Sequence, residues 1–161
     1  MRHAKAEQSA PSDFERQLTD RGTADAGEAG AWLTEQGMIP DHALVSGAVR
    51  TQQTWDALVD RGGWDVDPDF EEALYDAGPE SALDLIRSVP DHVQTLLVVG
   101  HNPTMASLAQ LLDDGEGDED AGNDMTTGFP TSAVAVLSYD GDWRELTEAS
   151  ASVVAFHVGR G

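Results

Sequence analysis

Apolar positions along the first two thirds of the chain alternate between continuous runs and helical spacing. Continuous apolar runs at residues 42–46 and 95–99 are bounded by turn residues, which predicts two strands of a parallel sheet that is covered on both faces. Helical spacing of apolar residues predicts four helices, over about residues 20–36, 48–61, 79–89 and 103–112. Strands that alternate with helices are typical of an α/β domain.

The last third of the chain carries strand patterns in succession. Residues 132–139 and 152–158 are predicted strands, and the turn residues 140–143 between them favour an antiparallel pair, with a short strand at 144–146. The whole pattern predicts one domain over residues 1–161. Its expected fold is a three-layer α/β sandwich with a mostly parallel central sheet and an antiparallel pair of strands at the carboxyl end.

In two further segments the apolar residues have no strong periodic spacing. Residues 64–70 alternate loosely and contain Pro68, which limits them to an edge strand. Residues 113–124 are rich in Asp, Glu and Gly and are predicted to form a solvated acidic loop. The spacing of their carboxylates does not match the calcium loop of an EF-hand, so we expect no calcium site there.

The chain is strongly acidic, with 9 Lys and Arg against 30 Asp and Glu and a formal net charge of −21. This charge repels nucleic acids and anionic membranes, so neither is an expected partner. Asp outnumbers Glu by 19 to 11 and Lys5 is the single lysine, which suggests a salt-tolerant, halophilic source as a hypothesis. No apolar run has the length of a membrane span or a signal peptide, so a cytoplasmic monomer is the default expectation.

Several kinds of site are excluded by the residues themselves. The chain has no cysteine, which excludes disulfides, thiolate metal sites and cysteine nucleophiles. It contains neither a GxxxxGK[ST] phosphate loop nor a GxSxG serine motif. The histidines His42, His92 and His157 show no metal-ligand spacing, so we expect no metal and no cofactor.

Four basic side chains are the candidates for chemistry. Arg2 and His3 open the chain, Arg50 lies in the first turn of a predicted helix, and His101 follows the strongest predicted strand. Ligands of open α/β sheets bind beyond the carboxyl ends of the strands, which places Arg50 and His101 at one edge. Two guanidinium groups can hold a phosphoryl group, and a neutral imidazole between them can attack phosphorus.

The order and spacing of these residues resemble the histidine phosphatase superfamily and, within it, the small SixA-type phosphohistidine phosphatases. The resemblance covers nearly the whole chain and rests on four segments, Arg2-His3-Ala4-Lys5, Arg16-Gln17-Leu18-Thr19, Ser46-Gly47-Ala48-Val49-Arg50-Thr51-Gln52-Gln53-Thr54 and Val98-Val99-Gly100-His101-Asn102-Pro103. It implies that His3 is the phosphorylated nucleophile, that Arg2 and Arg50 bind phosphate, and that His101 is a second histidine in contact with the phosphoryl oxygens.

The resemblance leaves the proton donor open. Larger relatives have a glutamate after the region that corresponds to Leu74-Tyr75, where this chain offers Asp76. Asp13, in the loop after the nucleophile, is the second candidate and ranks slightly below Asp76. If the substrate is phosphohistidine, its imidazole leaves more easily than an alkoxide, so weak acid catalysis would suffice.

One departure from the family pattern concerns the start of the sheet. The family has a central apolar strand that runs into the Arg-His motif, whereas here Met1 directly precedes Arg2. The first family strand is therefore missing from this sequence, and we expect a vacant central position in the sheet. Each lost buried side chain is worth roughly 1.5–3 kcal/mol against a total stability of about 5–15 kcal/mol, which predicts an unstable or inactive polypeptide.

These observations lead to one expected function and two alternatives. The leading hypothesis is a metal-independent phosphohydrolase with a phosphohistidine intermediate, acting on phosphohistidine of a partner protein. The absence of a large insertion after Arg50 leaves the pocket open, which favours a protein-borne substrate. The first alternative is a phosphomonoesterase for a small phosphorylated molecule, and the second is a non-catalytic phosphate-binding module.

Overall fold

Most helices and strands of the protein follow the order expected from the sequence. The computed structural model describes residues 1–161. Its main elements are α1 (Asp20–Glu35), β1 (His42–Ser46), α2 (Val49–Gly62), β2 (Asp69–Glu71), α3 (Pro79–Arg87), β3 (Leu96–Val99), α4 (Thr104–Leu112), α5 (Glu119–Thr127), β4 (Ala133–Ser138) and β5 (Ser152–Val158).

Local signals set the ends of the first two helices. The Thr19 side chain accepts a hydrogen bond from the Gly22 amide at 2.9 Å and so caps the first turn of α1. Gly63 ends α2 in the left-handed conformation, with φ 69°, and its amide donates to the carbonyl of Val59. The predicted boundaries of α1 and α2 are therefore confirmed to within one residue.

The strands form two sheets. β1 lies between β2 and β3, and all three run parallel, while β4 and β5 form an antiparallel pair. This arrangement confirms the mostly parallel sheet and the antiparallel pair at the carboxyl end. β2 lies at the edge, as expected for the segment around Pro68.

The first three residues connect the two sheets. The Met1 nitrogen donates to the Val98 carbonyl at 2.7 Å, and the Arg2 amide donates to the Ala133 carbonyl at 3.0 Å. Beyond Met1, a mostly apolar cavity of about 610 Å³ separates β3 from β4. Its lining includes Leu97 and Val98 of β3 and Val134 and Val136 of β4.

Helices cover both faces of the parallel sheet. On one face, Leu33 of α1 and Leu58 of α2 pack with Val45 and Val99. On the other face, the apolar sides of α3, α4 and α5 share one core, which includes Leu83, Leu108 and Met125. The three-layer architecture is thereby confirmed. None of the helices combines the length and the apolar character that crossing a bilayer requires.

Two local predictions are wrong. The acidic segment is not entirely a loop, because α5 begins at Glu119, where the Asp118 carboxylate accepts from the Ala121 amide at 2.8 Å. Cap formation and burial of Met125 stabilise this helix despite its charge. The expected short strand at 144–146 is instead a 3₁₀ turn over Trp143–Glu145. The Trp143 indole donates to the Val93 carbonyl, and this contact holds the turn against the core.

Candidate active site

Three of the four basic candidates meet at the carboxyl ends of β1 and β3. The imidazole rings of His3 and His101 lie 5.3 Å apart, and Arg50 Nη2 is 3.2 Å from His101 Nδ1. All three side chains are at most 8% exposed. The fold therefore brings together, in one buried cluster, residues that are up to 98 positions apart in the chain.

The backbone around His3 is held on both sides. The His3 amide donates to the Gly100 carbonyl at 2.9 Å, which ties it to the end of β3. The Ala4 amide donates to Thr54 Oγ1, and that hydroxyl in turn donates to the Arg50 carbonyl at 2.6 Å. The Thr54 hydroxyl on α2 therefore links the backbone next to His3 to the backbone of Arg50.

The hydrogen bond of His3 determines which ring nitrogen can attack. His3 Nδ1 is 2.7 Å from the Ala4 carbonyl oxygen. Because a carbonyl only accepts, Nδ1 carries the proton and donates, which leaves the lone pair of a neutral ring on Nε2. His3 therefore has the tautomer that a nucleophile requires.

His101 has the opposite tautomer. The Arg50 guanidinium can only donate, so His101 Nδ1 accepts from it, and Nε2 carries the proton. This Nε2 lies 2.7 Å from Ser46 Oγ, to which it donates. Both nitrogens of His101 are engaged in the cluster, so His101 is a weaker candidate for the nucleophile than His3.

Arg2 approaches the cluster from the segment that joins the two sheets. Arg2 Nη1 donates to the Phe129 carbonyl at 3.0 Å, and Asn102 Nδ2 donates to the same oxygen at 2.8 Å. The Nε atoms of Arg2 and Arg50 are buried without a hydrogen-bond partner in the protein. Buried donors of this kind are normally satisfied, and an oxyanion bound between the two arginines would supply the acceptors.

The two proton-donor candidates lie in different surroundings. Asp13 belongs to the cluster, because its Oδ2 accepts from Arg50 Nη2 at 3.1 Å and from the Tyr75 hydroxyl at 2.5 Å. Arg16 Nε donates to Asp13 Oδ1 at 2.9 Å. Asp76 is exposed and makes no side-chain hydrogen bond to the cluster. The structure therefore places Asp13 within reach of a ligand of Arg50 and leaves Asp76 outside the network.

The environment keeps both histidines neutral and Asp13 ionised. Burial lowers the pKa of His3 to about 4, and the charges of Arg50 and Arg2 act in the same direction, whereas the contact with Ala4 opposes them. Burial and the charge of Arg50 lower the pKa of His101 to about 3. The hydrogen bonds from Tyr75 and Arg16 lower the pKa of Asp13 to about 2. At neutral pH, Asp13 therefore accepts hydrogen bonds and has no proton to donate.

These shifts lead us to expect that the protein loses stability as the pH falls from 6.5 towards 4. In that range the unfolded chain protonates its histidines while folded His3 and His101 stay neutral, which costs up to about 1.4 kcal/mol per pH unit for each histidine. Urea unfolding at pH 7 and pH 5 measures the effect. The variant His101→Gln should show a smaller loss of stability, and the exposed-site control His92→Gln should behave like the wild type. Equal losses in all three proteins would contradict the burial argument.

Four residues of the cluster received no role from the sequence. Ser46 orients His101, Tyr75 and Arg16 hold Asp13, and Asn102 shares the Phe129 carbonyl with Arg2. The position of Ser46 could have been predicted to be near His101, because Ser46 ends β1 and His101 follows β3 at the same edge of the sheet. Tyr75 lies 62 residues from Asp13, so no local pattern relates the two.

The polar residues after Arg50 tie the first turns of α2 to the surrounding loops. Thr51 Oγ1 donates to the Ser46 carbonyl at 2.6 Å, and Gln52 Nε2 donates to the Gly47 carbonyl at 2.6 Å. Gln53 Oε1 accepts from the Leu18 amide at 2.7 Å. These bonds fix the start of the helix that carries Arg50. No three His, Asp or Glu side chains in the protein are grouped so that they could hold a metal ion.

Taken together, the cluster presents a neutral histidine with a free Nε2 lone pair near two arginines, in a protein with a large negative charge. A tetrahedral oxyanion is the ligand that such guanidinium groups bind best. A phosphoryl group bound by Arg50 would lie near His3 and His101, because these three side chains are in one cluster. The geometry therefore suits transfer of a phosphoryl group to His3.

Comparisons with known proteins find relatives that match nearly the whole chain. The chain is 40% identical over 162 residues to a Mycobacterium tuberculosis protein named as uncharacterized, with 99% of this chain and 100% of that protein covered. It is 32% identical to a solved structure from Nakamurella multipartitia that is assigned as a phosphohistidine phosphatase SixA, with a TM-score of 0.87 and coverage of 99% and 93%. A SixA homolog of Haemophilus influenzae is 28% identical over 97% of this chain and 96% of its own. No protein-family model matches the chain.

Proposed function

Because this chain belongs to the histidine phosphatase superfamily, among its SixA-type members, we propose that it removes the phosphoryl group from phosphohistidine on a partner protein. One observation carries the proposal. His3 is a buried neutral histidine whose Nδ1 proton is held by the Ala4 carbonyl, and it lies beside Arg50 and His101. A nucleophile with these neighbours fits phosphoryl transfer better than binding alone.

In the first step, the lone pair of His3 Nε2 forms a bond to phosphorus. The bond between phosphorus and the substrate nitrogen breaks, and its electron pair remains on the departing imidazole. Arg2 and Arg50 balance the charge on the phosphoryl oxygens during the transfer. His101 Nε2 donates to Ser46 Oγ in the free protein. It donates to the same phosphoryl oxygens when one of them takes the place of Ser46.

In the second step, water attacks the phosphoryl group on His3. The bond between phosphorus and Nε2 breaks, its electron pair returns to the ring, and inorganic phosphate leaves with both protons of the attacking water. The proton of His3 stays on Nδ1 throughout, hydrogen-bonded to the Ala4 carbonyl, so the ring ends in its starting tautomer. The proposed mechanism needs no metal, because the arginines carry the positive charge that phosphoryl transfer requires.

The hydrogen bonds around the Asp13 carboxylate favour a substrate with a nitrogen leaving group over one with an alkoxide leaving group. An alkoxide must be protonated as it departs, but the carboxylate nearest to Arg50 belongs to Asp13, whose pKa is lowered to about 2. An imidazole that is already protonated on its far nitrogen leaves as a neutral molecule and needs no donor. The exposed position of the Asp13 side chain, at 55%, also supports access by a bulky, protein-borne substrate.

Mass spectrometry under acid-free conditions tests the proposal. The purified protein is incubated briefly with a phosphohistidine-carrying protein, at low and at high KCl. We expect an acid-labile phosphate on His3 and release of inorganic phosphate. A well-folded protein that binds phosphate, but neither acquires the label nor releases phosphate, would instead support the phosphate-binding module. Circular dichroism on the same sample separates that outcome from loss of folding.

A further inference from the structure

Two aromatic side chains lie beside His101 and Arg50, namely Tyr75, which donates to Asp13, and Phe14, which contacts Tyr75. The Tyr75 ring meets His101 edge to face, with centroids 5.4 Å apart and an interplanar angle of 88°. The Phe14 ring meets Tyr75 in the same manner, at 5.0 Å and 73°. Both side chains are partly exposed. Together with Asp13 they form a surface that we call the aromatic rim, defined as Asp13, Phe14 and Tyr75.

The rim is attached to the same structural unit as Arg50. The Val49 amide, at the start of α2, donates to the Phe14 carbonyl at 3.0 Å, and Arg50 Nη1 donates to the Asp13 carbonyl at 2.7 Å. A side-chain carbon on Gly47 would lie 3.4 Å from Phe14 Cζ, so the Phe14 ring rests against the turn between β1 and α2. The rim therefore has a fixed position relative to the arginine that binds the phosphoryl group.

Asp13 has room for one more hydrogen bond. Its Oδ2 already accepts from Tyr75 and Arg50, whereas Oδ1 accepts only from Arg16. A carboxylate oxygen accepts about two hydrogen bonds, and the side chain is 55% exposed, so Oδ1 remains open to a donor. An ionised carboxylate next to two aromatic rings is suited to a flat group that carries an N–H and a positive charge.

From this geometry we infer that the aromatic rim is a leaving-group subsite, which binds the imidazole ring of phosphohistidine while its phosphoryl group lies on Arg2 and Arg50. The inference rests on the proposed function. The ring binds protonated on its far nitrogen, whose N–H donates to Asp13 Oδ1. When the phosphorus–nitrogen bond breaks, its electron pair goes to the near nitrogen, the proton stays on the far nitrogen, and neutral imidazole departs.

Such a subsite would raise the preference of the enzyme for a phosphorylated ring over a phosphorus–nitrogen bond without a ring. Imidazole phosphate carries the ring, and phosphoramidate offers the same bond type without it. Both place an identical phosphoryl group on Arg2, Arg50 and His101. The intrinsic reactivity difference between the two substrates is the same for every variant, so the change in the ratio of their kcat/KM values between wild type and variant isolates the contribution of the rim.

The test compares this ratio in the full-length wild type and in three variants. We expect Phe14→Leu and Asp13→Asn each to lower the preference for imidazole phosphate by about 3- to 10-fold relative to the wild type. Phe70→Leu is the matched control, because Phe70 is an exposed phenylalanine on β2, at 51%, and has no ring contact with the rim. Its preference should equal that of the wild type.

The outcomes separate the subsite from the proposed function. An unchanged preference in both rim variants, with turnover of both substrates by the wild type, would overturn the subsite and leave the phosphatase intact. Absence of turnover and of phosphate on His3 in the wild type would refute the proposed function itself. If one rim variant folds poorly, both of its kcat/KM values fall together and their ratio stays unchanged. The ratio in the other rim variant then decides whether the subsite exists.

Discussion

The variant His3→Ala is expected to lose phosphohistidine hydrolysis by at least about 10³-fold and to acquire no phosphate, because the substitution removes the attacking nitrogen. His3 is the histidine of the cluster whose Nε2 lone pair is uncommitted, since its Nδ1 proton is donated to Ala4. Release of inorganic phosphate and acid-free mass spectrometry measure the two effects. Folding of the variant is checked by thermal unfolding.

Two further variants make this test specific. His101→Ala should be slow but should still acquire phosphate on His3, because His101 contributes contacts and not the nucleophile. His92→Ala, a change at an exposed histidine, should match the wild type in both measurements. Labelling of His3→Ala at His101 would show instead that the nucleophile was assigned to the wrong histidine.

The variant Arg50→Met is expected to lower kcat/KM for phosphohistidine by about 10²- to 10³-fold, which is the usual cost of removing one preorganised donor to a developing oxyanion. Arg50 is buried, and it contacts both His101 and Asp13. Methionine keeps most of the length and volume of the side chain but removes the charge and the donors. Steady-state kinetics and the rate of phosphate transfer to His3 measure the loss.

The same variant also tests how His101 is protonated. Without the guanidinium that donates to Nδ1 and repels a proton, the pKa of His101 should rise from its lowered value. Proton NMR of the imidazole, followed against pH, detects this rise. Arg61→Met is the matched control, because Arg61 lies on the same helix, at an exposed position, and has no hydrogen bond to the cluster. Full activity of Arg50→Met would refute its role in binding the phosphoryl group.

Local sequence patterns were sufficient for most of the secondary structure. β1 is confirmed at the predicted residues, and α1 begins directly after the predicted cap, Thr19. Such elements depend on residues that are close in the sequence, because helix caps and the periodic spacing of apolar side chains are local features. α5 was missed because only Ala121 and Met125 of this acidic segment are buried, and two apolar positions do not establish a helical period.

The candidate site was predictable only in part. The topology of parallel strands placed Arg50 and His101 at one edge, and the resemblance to the histidine phosphatase superfamily supplied the expected roles of Arg2 and His3. Their roles remain predictions for the experiments described above. Neither topology nor resemblance indicated that Asp13 contacts Arg50 and Tyr75, because these contacts join segments that are 37 and 62 residues apart.

The sequence by itself determined the order of the elements, the acidic charge and the residue types available for chemistry, since these depend on composition and on short-range periodicity. Only the tertiary structure decided which nitrogen of each histidine carries a proton, which carboxylate lies beside Arg50, and how two sheets flank an apolar cavity next to Met1. Those properties depend on burial and on hydrogen-bond partners from distant segments. Both arise when the chain packs, and neither is encoded in any local run of residues.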